Sequence, residues 1–340
     1  MKHSVFVWSF LILSLVLGTG LVLRDSLRHY ASTPTGSNTD EILFTVQQGE
    51  GFRTVAERME KEGLISDSFY LRILARLQKK DTRIHTGEYP MSPALSPQAM
   101  LDMMVSGRVK RYRVTLPEGL RITEIARRVA ETGLVDEKDF LMAATDKGLT
   151  QKLGIPADSL EGYLYPNTYF FTANDNAETM IRTMVQHFNR IITPEKKERA
   201  KALNMSMHEV ITLASIIEKE TGTPAERTLV SSVFHNRLKK GMRLQTDPTV
   251  IYGIPDFNGR ITRTHLRTPT PYNTYHIHGL PPGPIASPGR ASIEAALWPV
   301  ESAYIFFVSR NDGTHHFSTN LTEHNRAVQK YQRGNRRSGQ

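Results

Sequence analysis

The 340-residue chain has no cysteine, which excludes disulfides, thiolate metal sites and a lipid-modified cysteine together. It also has no H-E-x-x-H and no G-x-S-x-G, so neither the zincin nor the nucleophile-elbow hydrolase pattern is present. His276, His278, His315, His316 and His324 gather in two places without a supporting carboxylate pattern, and Ser215 has no histidine that spacing would pair with it. No metal and no cofactor are expected. Acidic residues are in deficit: 34 Asp and Glu against 43 Lys and Arg give a formal charge of +9, which favours a polyanionic partner or surface.

Charge is missing altogether from Val5 to Leu23, 19 residues that span about 28 Å as a helix, close to one bilayer core. No small-x-small cleavage site precedes Arg24, so an uncleaved anchor is expected. Lys2 on one side faces Arg24 and Arg28 on the other, a pattern that leaves orientation open by charge alone. The short N-terminal tail makes export of the remainder the natural topology. Nucleic acid is then not an expected partner, and the positive charge is assigned to an anionic envelope surface or polymer. Residues 25–40, rich in Ser, Thr, Pro and Gly, read as a linker.

An internal repeat follows at an offset of 70 residues. Phe44 to Ile65 (FTVQQGEGFRTVAERMEKEGLI) aligns without gaps on Val114 to Val135 (VTLPEGLRITEIARRVAETGLV). Each copy reads as a strand, a glycine turn and an amphipathic helix closed by Gly63 or Gly133. Between the copies, Ser68 to Gln78 reads as helix, Thr86 to Met91 as strand and Pro97 to Met104 as helix. The order strand, helix, helix, strand resembles the LysM fold that holds N-acetylglucosamine polymers; a structural spacer is the alternative.

Further on, residues 138–155 read as helical. Leu160 to Phe171 (LEGYLYPNTYFF) suits either an aromatic wall on which sugar rings stack or a buried strand with its tyrosine hydroxyls satisfied. Helices are expected over Ala177–Ile192 and Pro194–Leu203. Ser206 and Glu209 form a capping box for a helix whose stripe is Val210, Leu213, Ala214 and Ile217, and Gly222 stands at its end. Glu218 and Glu220 lie roughly 80° to either side of that stripe, so they point nearly opposite ways and cannot act as a pair. Glu218 borders Ile211, Ala214 and Ser215, where desolvation would keep a carboxyl protonated. Helix geometry alone favours a surface glutamate in the last turn.

Thr223, Pro224 and Glu226 read as a second capping box, for a helix to Lys240. Met242–Gly253, Thr270–Pro284 and Ser287–Leu297 read as irregular site loops, Tyr304–Val308 as a buried strand paired with Gly313–Ser318, and Thr322 onward as a last helix. The basic tail, 333–340, reads as disordered. Ordinary glycosidases need two carboxyls, but a single acid suffices if the substrate brings its own nucleophile, as the 6-hydroxyl of muramic acid would.

The ordered motifs LEGYLYPNTY (160–169), ASIIEKET (214–221), FHNRL (234–238), LQTDPTVIYG (244–253), PYNTY (271–275), GLPPGPI (279–285) and HHFSTNLTEHN (315–325) resemble the YceG family of murein transglycosylases of Gram-negative bacteria. Tyr165 stands where Phe is usual in that family, and Asn167 where Asp is common. The resemblance implies endolytic cleavage of nascent peptidoglycan between N-acetylmuramic acid and N-acetylglucosamine, leaving a 1,6-anhydromuramic end; anchoring near the bilayer would restrict cleavage to strands close to their site of synthesis and so terminate their elongation. It implies Glu218 as the catalytic acid and then base, with Asn236, Gln245, Asp247, Tyr272, Asn273, Tyr275, Asn320 and Glu323 as candidate lining of the glycan groove.

The expected fold is α+β: a transmembrane helix (1–24), the linker, a LysM-like module (41–110), and a mixed α/β catalytic domain (111–332) made of a repeat-like subdomain (112–150) and a core (155–332). The expected place is the inner membrane, single-pass, with the catalytic domain in the periplasm and with glycan strands, membrane lipid and peptidoglycan synthases as partners. A hydrolytic muramidase and a non-catalytic peptidoglycan-binding scaffold are the rival expectations.

Overall fold

The structure is a computed structural model that describes residues 2–220, 222–255, 257 and 259–333. It divides into two compact units, one of residues 1–112 with 171–174, the other of 113–170 with 175–340.

The first unit opens with helix α1 (Lys2–Ser32), followed by β1 (Ile42–Val46), α2 (Phe52–Lys61), α3 (Ser68–Leu77), β2 (Gly87–Met91) and α4 (Pro97–Ser106). Strands β1 and β2 are antiparallel, with Phe44 opposite Tyr89, and alternation sends Phe44, Val46, Tyr89 and Met91 inward onto Val55, Met59, Leu71, Met100 and Leu101. Asp67 and Ser96 cap α3 and α4 through their side chains, and Gly107 closes α4 in the left-handed conformation. The strand, helix, helix, strand order is therefore the one expected.

Residues 25–32, expected as linker, instead continue α1. Tyr30 explains this: its ring stacks on Tyr70 at 5.4 Å and its hydroxyl donates to the Asp67 carbonyl at 2.7 Å, so packing holds the last turns helical. Among the described residues no helix is long and apolar enough to cross a membrane. The expected anchor, Val5–Leu23, falls largely on residues whose side chains lie outside the described set, and the basic tail beyond Arg333 lies outside it as well.

The second unit contains all but the first residue of β3 (Tyr112–Leu116), α5 (Ile122–Ala130), α6 (Glu137–Ala144), α7 (Lys147–Lys152), all but the last residue of β4 (Asn167–Phe171), α8 (Ala177–Ile191), α9 (Pro194–Ala202), α10 (Met207–Glu220), α11 (Arg227–Lys239), α12 (Asp247–Tyr252), α13 (Arg263–Arg267), α14 (Arg290–Leu297), β5 (Phe306–Ser309), β6 (His315–Ser318) and α15 (Leu321–Val328). β3 pairs with β4, and β5 with β6 in an antiparallel hairpin. The fold is thus mixed α and β with short sheets.

Helix α10 is the axis of this unit. Val210, Ile211, Leu213, Ala214, Ile216 and Ile217 are all buried, which is apolar burial around most of a helix rather than along one stripe. Its capping box forms as expected, with Ser206 and Glu209 exchanging side-chain and backbone hydrogen bonds. α11 contributes Val230, Val233 and Phe234 to the core, and α14 contributes Ile293, Ala296 and Leu297. The Ser231 hydroxyl ties these two helices by donating to the Ala295 carbonyl at 2.7 Å.

Three expectations need correction here. Ser287–Leu297 is not an irregular loop: after a Ser-Pro-Gly turn it becomes α14, packed on α10, and Asp247–Tyr252 likewise forms a short helix. The capping box at Thr223 does not form. Pro224–Glu226 is a 3-10 turn, because the Glu226 carboxylate is taken by the backbone N–H and Nδ1 of His315, at 3.0 and 2.7 Å. Finally, β5 is only half-buried, with α15 packing on the hairpin through the stacked pair Phe306 and His324 at 5.0 Å.

Candidate active site

Glu218 lies in the last turn of α10 with its side chain only 8% exposed. Its Oε2 accepts a hydrogen bond from the Gly289 N–H at 2.9 Å, and its Oε1 stands 3.8 Å from Nη2 of Arg227. Gly289 is the N-cap of α14, so the carboxyl meets the positive end of that helix. The turn after β3 closes over the other side. Gly119 is so near that a Cβ there would sit 3.6 Å from Cγ of Glu218, and the Lys219 ammonium donates to the Gly119 carbonyl at 3.1 Å. Backbone bonds between Gly119 and Ser287 and between Ser287 and Leu120, each 2.8 Å, hold this turn against the one that leads into α14.

That turn brings in a residue the sequence reading passed over. Glu118 presses on Gly289 so closely that a Cβ at position 289 would lie 1.9 Å from its Oε1. Burial raises the Glu118 carboxyl above its ordinary value and the nearby charge of Glu218 raises it further, while Arg227 opposes both. Arg227 itself is nearly buried, and its Nε has no hydrogen-bond partner among the described residues. It borders a cleft of about 610 Å³ lined also by Lys196, Thr228, Arg290, Glu294 and Trp298, a residue 38% exposed. A half-exposed aromatic plane beside buried and exposed cations suits a polymer of sugar rings bearing carboxylates.

A second cleft, of about 380 Å³, is lined by Ser159, Glu161, His208, Tyr272 and Pro282–Pro284. Glu161 is buried, accepts the Ile122 N–H at the start of α5 at 3.1 Å, and receives the Tyr252 hydroxyl at 3.3 Å. Burial pushes its carboxyl up to about 7 against these stabilising bonds. Tyr272 packs on Tyr252 with ring centres 4.7 Å apart. The tyrosines of 160–169 do not form a sugar-facing wall. Tyr163, Tyr165 and Tyr169 are buried, with Tyr163 hydrogen-bonded to His208 at 2.7 Å and Tyr169 donating to the Tyr165 carbonyl at 2.6 Å.

Glu220 points into a different neighbourhood from Glu218. It accepts the Thr246 hydroxyl, and burial together with Asp247 raises it to about 7. Asp247 accepts the Tyr275 hydroxyl at 2.7 Å, and Gln245 is exposed in a left-handed backbone conformation, φ 51°. Asp247 and Tyr275 are therefore brought together with Glu220, Gln245 joins the same loops through its backbone N–H to the Thr274 carbonyl, and Tyr272 sits in the cleft of Glu161.

The remaining candidates have their amides or carboxylates committed to the scaffold. Asn236 donates to the carbonyls of Ser302 and Tyr304 at 2.8 and 2.9 Å, Asn320 caps α15, and Glu323 accepts the N–H and hydroxyl of Thr319. Asn273 is fully buried. Its amide donates to the carbonyl of Thr268 at 2.7 Å and reaches that of Leu266, and its oxygen accepts the Tyr275 N–H. Asn273→Ala is expected to lower stability by about 2 kcal/mol, measured by urea unfolding, because it leaves buried carbonyls without donors.

A family model described as the YceG-like family matches residues 44–330. Among curated relatives, the endolytic murein transglycosylase of Bacillus subtilis strain 168 is 32% identical over 306 residues, covering 85% of this chain and 84% of the relative. The endolytic murein transglycosylase of Streptococcus pneumoniae strain D39 is 26% identical across 95% of this chain, which spans 64% of that relative's length. A crystal structure at 2.6 Å of a yceG-like protein from Listeria monocytogenes superimposes with a TM-score of 0.59 at 31% identity, covering 85% of this chain and 99% of the other. With its family match running from β1 through α15 and around Glu218, this chain is a member of the YceG-like family.

Proposed function

We propose that the chain is an endolytic lytic transglycosylase of peptidoglycan, a lyase that cuts the β-1,4 bond between N-acetylmuramic acid and N-acetylglucosamine and leaves a 1,6-anhydromuramic end. The observation that carries this reading is Glu218, a carboxyl withdrawn from solvent, held by the Gly289 N–H and flanked by an arginine that opens onto a cleft. The names of the relatives support it.

In the proposed reaction Glu218 gives a proton to the glycosidic oxygen as the bond from that oxygen to C1 breaks. The 6-hydroxyl of the same muramic residue then bonds to C1, and its proton goes to the Glu218 carboxylate. The substrate's 2-acetamido group would steady the cationic centre. The Gly289 N–H and Arg227 stabilise the carboxylate stage, since both place positive charge at its oxygens. Gln245, Asp247, Tyr272 and Tyr275 are assigned to glycan contacts, and Asn236, Asn273, Asn320 and Glu323 to shaping the loops that present them.

Anchorage by Val5–Leu23 in the inner membrane, a periplasmic catalytic unit and a glycan-holding role for the strand, helix, helix, strand module belong to the same proposal. Cleavage would then be confined to strands near their site of synthesis, ending their elongation.

Hydrolysis by water has one observation in its favour, the second carboxyl of Glu118 beside Gly289. Digestion of purified sacculi by the full chain, with product ends identified by mass, decides between the two. Anhydro ends are expected, and ends heavier by one water would establish a muramidase instead.

A further inference from the structure

We propose that the outer face of α3 is a membrane-contact surface: Ile73 and Leu77 enter the lipid boundary beside the emerging end of the α1 apolar run, while Arg24, Arg72 and Arg76 bind anionic phospholipid headgroups. The inference rests on the proposed anchorage by Val5–Leu23 and goes beyond it by giving the first unit a second hold on the bilayer. Phe69, Ile73 and Leu77 recur every four residues and so follow one another along the outside of α3, opposite the buried Leu71, Leu74 and Ala75. Phe69 is 60% exposed and Leu77 70%. Polar side chains are the ordinary occupants of such a face in water.

The stripe lies where α1 leaves its apolar run. α1 and α3 run side by side in opposite directions: Tyr70 stacks on Tyr30, and further along Ile73 and Leu77 line a cleft of about 350 Å³ with Gly20, Leu23, Arg24 and Leu27. From Tyr70 to Leu77, as from Tyr30 back to Leu23, is about 10 Å along the helix, which puts Leu77 level with Leu23. Leu17, Leu21, Val22 and Leu23 are exposed around the whole circumference of α1 at that level. An apolar surface that faces outward on every side is suited to lipid. The C-terminal end of α3 therefore reaches the depth at which the apolar run ends.

Charge selects the occupant. Arg72 and Arg76 flank the stripe and, with Phe52, Arg53, Phe69, Ile73 and Asp81, line a second cleft of about 330 Å³ on its other side. Arg53 is engaged by Glu57, whereas among the described residues Arg72 and Arg76 have no ion pair. Asp81 and Asp25 are the acidic groups nearby, against Arg24, Arg72, Arg76 and the exposed Lys79 just past α3. An apolar strip rimmed by arginines matches the edge of an anionic bilayer, where arginine stems lie along acyl chains and their heads reach phosphates. A second copy of this face would instead set like charges against each other.

With no cysteine in the chain, a single one can be placed at will. Full-length Leu77→Cys, Phe69→Cys and Lys61→Cys, each carrying a polarity-sensitive fluorophore, are reconstituted into vesicles of phosphatidylethanolamine and phosphatidylglycerol. Quenching by a nitroxide on the lipid acyl chain is compared with quenching by iodide in the water. Lipid quenching is expected to be strongest at position 77, weaker at 69 and absent at 61, which is exposed at the end of α2 next to the start of α3. Adding Arg72→Gln and Arg76→Gln to Leu77→Cys is expected to lower the ratio of lipid to iodide quenching by about 10-fold or more, and vesicles of phosphatidylcholine alone should lower it likewise. A label at position 77 that iodide reaches as freely as at 61 overturns the proposal, and one sheltered from both quenchers overturns it in favour of a protein contact. A ratio indifferent to the arginines and to headgroup charge overturns the assignment of Arg72 and Arg76. A chain that does not float with the vesicles counts against the anchorage itself, whereas one that floats with a wet label at 77 counts against this surface alone.

Discussion

Glu218→Gln is expected to lower cleavage of sacculi by about 10³-fold or more while leaving the protein folded and bound to glycan. The substitution keeps nearly the same shape, and the glutamine oxygen still accepts the Gly289 N–H. What it removes is the proton donor and, afterwards, the acceptor for the 6-hydroxyl proton. Loss should therefore appear in kcat and not in KM, since binding is left to the cleft walls. Melting temperature should hold, because the glutamine keeps the shape of the side chain and the bond from the Gly289 N–H. The measurement is the rate at which anhydro ends appear, by mass spectrometry, alongside pull-down on sacculi. A variant that retains wild-type rates, or that complements fully in cells, would leave a peptidoglycan-binding scaffold as the better account.

The second large effect concerns stability. Glu161 and Glu220 are both raised to about 7 by burial, well above a carboxyl in the unfolded chain. Between the unfolded and folded values the native state binds more protons than the unfolded state, so stability falls as pH rises through that window. The protein is therefore expected to be most stable near pH 5 and to weaken toward pH 8. Glu161→Gln is the cleaner probe, since Glu220 is coupled to Asp247. A glutamine oxygen preserves the bond from Ile122 and removes the need to bury a charge. The expected result is a gain of about 3 kcal/mol at pH 8 and little change at pH 5, read from urea unfolding at the two pH values. If the substitution destabilises equally at both, the Glu161 carboxyl is held ionised by Ile122 and Tyr252 and burial is not the dominant effect.

Much of the architecture was legible because it is written in neighbouring residues. Ser206 and Glu209 announce α10, Asp67 and Ser96 begin their helices, and the two glycine-closed copies of the repeat appear where a gapless alignment puts them. What escaped was set by residues far apart in the chain. Glu226 looked like half of a capping box until His315, 89 residues away, claimed its carboxylate. α14 was hidden because Ser287, Pro288 and Gly289 precede an eight-residue helix too short to display two full turns of periodicity. Tyr163, Tyr165 and Tyr169 read two ways, since a tyrosine with its hydroxyl satisfied internally has the same sequence signature as one facing sugar.

The site follows the same division. Glu218 was reached through its motif and the edge of a helix, but its surroundings were not. Arg227 opens the next helix, and Gly289 and Glu118 come from loops 71 residues after and 100 residues before Glu218 in the chain. The one available signal was the Glu-Gly pair after β3, where a polar residue precedes a glycine that must adopt positive φ. Four asparagine or glutamate candidates turned out to have scaffold partners because amides that brace loops and amides that bind sugars use identical chemistry.

The paired strand–turn–helix copies have one more consequence. Because both bends share the same backbone shape, with an amide in one and an acid in the other, the molecule contains its own ready-made blank. Grafting the pentapeptide Gln47–Gly51 in place of Pro117–Arg121 would exchange side chains and leave topology alone, so the first copy supplies a control loop against which the acid of the second can be judged.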